Sequence, residues 1–189
     1  MAQWVVSELE HIPGPLVMVG HSLGGAVALE VALQRPDLVA SLVLVSTGAR
    51  LPVPDDAIAR IGDDFAGECL RMVQLSWLHQ DPELIRRGAN SVMSMGPEAL
   101  HADYLAARDH DVRALLDEIT VPVLVLAGEE DPLVPPWLSK ELAEGLIDAT
   151  MVVVPNAAHV PQLERADVVD LLLAAWLARI EMTLIEDDD

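Results

Sequence analysis

At 189 residues the chain fits one domain, or one domain carrying an insertion, and is too short for two full domains. Its 31 acidic against 11 basic side chains, a net charge of −20, repel polyphosphates and anionic membrane surfaces, so neither nucleic acid nor membrane is expected as a partner. The composition is 52% apolar, but the longest apolar run, around residues 171–177, falls far short of a bilayer span, and the N-terminus has no cationic segment leading into an apolar one, so a cytoplasmic protein is expected.

Residues 2–12 place Trp4, Val5, Leu9 and Ile12 at helical spacing, and Pro13-Gly14-Pro15 ends that helix. A short all-apolar strand, Leu16 through Val19, follows. It runs into Gly20-His21-Ser22-Leu23-Gly24, a G-x-S-x-G nucleophile elbow, and then into a helix over 25–34. The elbow needs close approach of strand and helix, which Gly20 and Gly24 are expected to permit by lacking Cβ atoms. Ser22 is then the candidate nucleophile. At the first turn of the helix, the N–H of Leu23 is the candidate oxyanion donor. Residues 42–45 are a second strand, and strand, helix, strand implies a parallel sheet with crossover helices.

From residue 51 to 118 the pattern turns helical, divided by Asp81-Pro82 and Gly96-Pro97 into segments over 55–79, 82–95 and 97–108. This stretch is expected to be an inserted helical cap, with residues 1–50 and 119–189 as the α/β core. Met72, Met93, Met95, Trp77 and Leu78 suit a pliable apolar pocket wall, or equally the cap's own core. Cys69, the single cysteine, excludes an intramolecular disulfide, argues against structural zinc and reads as a buried or half-buried thiol. Strands return at 121–126 and 150–154, with a helix over 137–146 between them and a final amphipathic helix over 163–180. The charge suits a salt-rich medium, and equally an ordinary soluble protein with solvated acidic helix faces and an acidic tail at Glu186 to Asp189.

A serine hydroxyl needs a base, and the base needs a group that fixes its tautomer. In a parallel α/β sheet such groups lie in the loops after strands. Asp131 follows the 121–126 strand and His159 follows the 150–154 strand, giving the order Ser, Asp, His. His11, His79, His101 and His110 lie elsewhere and are expected to be packed or exposed, and His21 is expected to point away from the serine hydroxyl. Glu129 and Glu130 adjoin Asp131 and are alternatives to it. Asp131 is preferred because Pro132 fixes the turn after it. No His/Asp/Glu cluster has metal-ligand spacing, so neither metal nor cofactor is expected.

With these residues in place the chain resembles the α/β-hydrolase family over residues 2–180. GHSLGG at 20–25 is similar to its elbow, G-x-x-D-x-x-V-P at 128–135 to its acid loop, and AHVPQLE at 158–164 to its histidine loop. The resemblance carries the triad over to Ser22, Asp131 and His159. Ala158 stands where relatives usually have glycine, which asks for ordinary backbone angles there. Family members begin with further strands and a His-Gly loop that supplies a second oxyanion N–H. By that resemblance the chain is expected to be a truncated hydrolase whose strand from Leu16 to Val19 becomes an exposed edge.

The reaction expected is hydrolysis of an ester, lactone or thioester of a small apolar acyl group. The alternative is a catalytically impaired remnant, or one subunit of a split enzyme, lacking half of the oxyanion hole. Carboxylesterases, enol-lactone hydrolases and non-haem haloperoxidase-like members share these residues, whereas a haloalkane dehalogenase would carry an aspartate nucleophile. Self-association through the Leu16 to Val19 edge is also expected.

Overall fold

A computed structural model describes residues 1–186, so 187–189 of the acidic tail lie outside the described residues. Four parallel strands form one sheet in the order β1 (Leu16–His21), β2 (Val39–Val45), β3 (Val123–Gly128) and β4 (Ala149–Val154). The register sets Gly20 beside Leu44, Val45 beside Leu126 and Gly128 beside Val154, so the three chain segments that leave β1, β3 and β4 emerge along one rim.

Apart from Ser41 of β2, the central strands are apolar because both of their faces are covered. Alternate residues face opposite layers. Leu42, Leu44, Val123 and Val125 pack with Leu29 and Val31 of α2 (Leu23–Gln34) and Leu142 of α7 (Pro136–Gly145), while α1 (Ala2–Leu9) lies against the same layer. Val43, Val45, Leu124 and Leu126 pack with Val169, Trp176 and Ile180 of α9 (Ala166–Glu186). The Trp176 indole N–H donates to Ser41 Oγ at 2.9 Å, and Ser41 Oγ donates to the Pro122 carbonyl at 2.8 Å, so the polar atoms in this layer are matched.

Between β2 and β3 the chain forms α3 (Asp55–Asp63), α4 (Phe65–Ser76), α5 (Pro82–Met93) and α6 (Pro97–Asp109). The first expected segment is thus two helices. Asp64 breaks it with a non-helical backbone, φ −151° and ψ 78°, and its carboxylate caps α4 by accepting from the Gly67 N–H at 2.9 Å. Ile61, Cys69 and Leu100 make one small core and Val73, Ile85 and Ala89 another. Cys69 is fully buried. Leu51 and Ala107 join Ala26, Val134 and Leu138, which seats this helical segment over the start of α2. No described helix is long and apolar enough to cross a membrane.

Candidate active site

Ser22 sits between β1 and α2 with φ 53° and ψ −122°, a conformation that costs on the order of 1–3 kcal/mol and persists only when its surroundings impose it. Here they do. The Ser22 N–H donates to Val45 O at 2.9 Å, extending the β1–β2 ladder, and Ser22 O accepts from the N–H groups of Gly25 and Ala26 at 2.9 and 3.3 Å. The Thr47 hydroxyl, just past the end of β2, adds a third donor to Ser22 O at 2.8 Å.

The glycine requirement differs from the expected one. A Cβ on Gly20 would stand 2.5 Å from Gly24 O and 2.6 Å from Gly25 Cα, and one on Gly25 would stand 2.6 Å from Thr47 Cγ2, but one on Gly24 would meet nothing within 4 Å. The close approach is therefore made by Gly20 and Gly25. Gly24 belongs to the elbow but faces open space.

Asp131 and His159 come together. His159 Nδ1 lies 2.8 Å from Asp131 Oδ2, with both residues buried. The other carboxylate oxygen, Oδ1, accepts from the N–H groups of Leu133 and Val134 at 2.9 and 3.0 Å, so Asp131 is locked by the turn that follows it. Glu129 and Glu130 are exposed, and Glu129 instead accepts from Asn156 N–H at 3.4 Å. Ala158 is absent from the positive-φ residues, which matches the ordinary angles expected of it.

Ser22 and His159 line one cavity of about 420 Å³ together with His21 and Leu23. Most of its wall is apolar: Leu51, Val53, Met72, Leu75, Leu100 and Val134 are examples. Of the residues expected there, Met72 and Met95 line it and Leu78 does not, whereas Met93 and Trp77 pack among the helices of the 51–118 segment. A polar patch that the sequence did not signal interrupts the wall. Glu68 is buried there, accepting from Arg60 Nε at 2.5 Å and from the Tyr104 hydroxyl at 3.1 Å. Burial and the Glu68 charge push the Tyr104 phenol up. Leu23 is the first residue of α2, where a helix N–H has no intrahelical acceptor.

His79 and His110 are not among the lining residues: His79 is exposed and His110 is buried near Glu30. His21 packs against the base residue. Its ring lies 4.8 Å from that of His159, and its Nε2 is 2.7 Å from the His159 carbonyl oxygen, to which it donates. Burial, reinforced by the neighbouring His159, holds the His21 pKa at about 4, so the ring is neutral near pH 7.

Residues 2–171 match the sequence profile described as "Alpha/beta hydrolase family". A pimeloyl-[acyl-carrier protein] methyl ester esterase of Neisseria meningitidis is 34% identical over 178 residues, covering 82% of this chain and 66% of its own length. The chain thus spans just under two thirds of that relative. The solved structure of a thermophilic esterase superposes with a TM-score of 0.86 at 29% identity, over 95% of this chain and 72% of that one. That of an N-acyl homoserine lactone degrading enzyme does so with a TM-score of 0.78 at 27% identity, over 92% and 72%.

Proposed function

The chain belongs to the alpha/beta hydrolase family, and from that premise we propose that it is a serine hydrolase cleaving an ester, lactone or thioester of a small, largely apolar acyl group. The observation that carries this reading is the buried 2.8 Å contact between His159 Nδ1 and Asp131 Oδ2, with His159 and Ser22 on the wall of the same apolar cavity. The esterase and lactone-degrading relatives support the same reaction class. The helical segment 51–118 serves as a cap, supplying the larger part of the acyl site.

In this reading Asp131 accepts the Nδ1 proton of His159 in a hydrogen bond and leaves Nε2 as the base. As Ser22 Oγ attacks the carbonyl carbon, its proton passes to Nε2, and the carbonyl π pair becomes an oxyanion facing the Leu23 N–H. Collapse expels the alkoxide or thiolate, which takes the proton from Nε2, and leaves Ser22 acylated. Water then repeats the sequence: His159 takes its proton, the acyl carbon passes through a second oxyanion, and Ser22 Oγ recovers the proton as the acid departs. The stored strain at Ser22 keeps the hydroxyl on the cavity wall throughout, so little reorganisation accompanies attack.

The test is steady-state hydrolysis of a short-chain p-nitrophenyl ester. Ser22→Ala and His159→Ala should each lower kcat/KM by about 10⁴-fold or more, and Asp131→Asn by about 10⁴-fold. Retention of activity in Ser22→Ala would end this reading.

A further inference from the structure

The loop that carries His159 is held by more than Asp131. Three backbone groups around the base have partners outside the loop. The Ala158 N–H donates to Glu164 Oε2 at 2.7 Å, the His159 N–H donates to Ser76 O at 3.1 Å, and the His159 carbonyl accepts from His21 Nε2 at 2.7 Å. Ser76 is the last residue of α4 in the cap. The other oxygen of Glu164, Oε1, accepts from the N–H groups of Leu78 at 2.7 Å and His79 at 3.1 Å, in the cap turn that follows α4.

Glu164 is therefore a clasp between two parts of the molecule. Its side chain is only 2% exposed, and a buried carboxylate costs several kcal/mol unless it is paired or fully hydrogen-bonded. Among the described residues its close partners are those three backbone N–H groups. The imidazole of His79 stands further off, at 3.7 Å, and is itself exposed. Charge-assisted bonds to backbone N–H groups are the strong kind. Two of them reach the cap and one reaches the residue directly before the base.

We propose that Glu164 is a positioning residue for His159: by binding Ala158 N–H on one side and the cap turn at 78–79 on the other, it fixes the base relative to the cap wall that holds the acyl group. The base and that wall then move as one unit. The Ser76 carbonyl completes the link, because it takes the N–H of the base residue itself. This inference rests on the reading of Ser22 and His159 as nucleophile and base.

The experiment compares Glu164→Gln and Glu164→Ala with the wild-type chain, using p-nitrophenyl butyrate at a temperature well below each protein's own melting transition. Glutamine keeps the shape but offers one acceptor oxygen in place of two, so it opens one half of the clasp. Alanine opens both. A misplacement of about 1 Å at a reacting group can cost about 100-fold. The expected result is a graded loss in kcat, about 10-fold for Glu164→Gln and 10- to 100-fold for Glu164→Ala, with KM within twofold of wild type. If either variant melts lower but keeps its wild-type kcat, Glu164 is only a structural clasp and the proposal is overturned. Should Glu164→Ala fail to fold, the isosteric Glu164→Gln carries the test alone. Ser22→Ala, assayed in parallel, separates the two failures: activity surviving there refutes the reading of the nucleophile, not the role of Glu164.

Discussion

Ser22 keeps a backbone conformation that few non-glycine residues adopt, and the molecule holds it there with one bond at its N–H and three at its carbonyl. That arrangement needs strand and helix almost in contact, which predicts opposite outcomes for two neighbouring glycines. Gly20→Ala would drive a Cβ into the backbone of Gly24 and Gly25, at 2.5–2.6 Å. It should cost at least 1–3 kcal/mol in urea unfolding, about the range for overpacking a rigid site. Gly24→Ala has open space and a helical position, so it should be neutral or stabilising by up to about 1 kcal/mol. The three residues read as a triad were legible because each lies in the turn or loop that follows an apolar strand. The Gly20/Gly25 pairing and the second task of His21 were not. The first depends on the Thr47 side chain and the second on the His159 carbonyl, neighbours from distant segments that leave no mark in the local pattern.

At the scale of elements, strands β2 and β3 were legible from their apolar runs at 42–45 and 123–126, because a sheet covered on both faces favours apolar side chains. The break at Asp64 was not, since neither proline nor a change of hydrophobic period announces it and the capping bond to Gly67 decides it. The clasp at Glu164 was equally hidden: two of its three close partners are main-chain N–H groups more than 80 positions away. β1 carries its own prediction. Among the described residues it pairs on one side alone, with β2, and Val19 on it is 63% exposed. An unpaired, uncharged strand edge is a template for another chain. At low salt, light scattering of the wild-type chain should therefore detect species larger than a monomer, and Val19→Glu should reduce them. A monodisperse wild-type monomer would show that this edge is adequately protected.

For the molecule as a whole, acid is the predicted weakness. His21 has its pKa lowered from 6.5 to about 4, chiefly by burial, and burial also lowers that of His110. Between pH 6.5 and 4 the unfolded chain binds a proton at residue 21 that the folded protein refuses, so stability is fully present above the higher value and is lost as pH falls towards the lower one. From pH 7 to 4.5 the loss assignable to His21 is about 2 kcal/mol. Urea unfolding should show a shallower pH dependence in His21→Gln by about that amount, and parallel curves would contradict it. The central claim is that Ser22, activated by His159, forms a covalent acyl-enzyme. Its most direct test is intact-protein and peptide mass spectrometry after treatment with a fluorophosphonate. The account predicts a single phosphonyl adduct on the peptide containing Ser22, absent from Ser22→Ala and strongly slowed in His159→Ala. An adduct on another residue, or equal labelling of all three proteins, would contradict it.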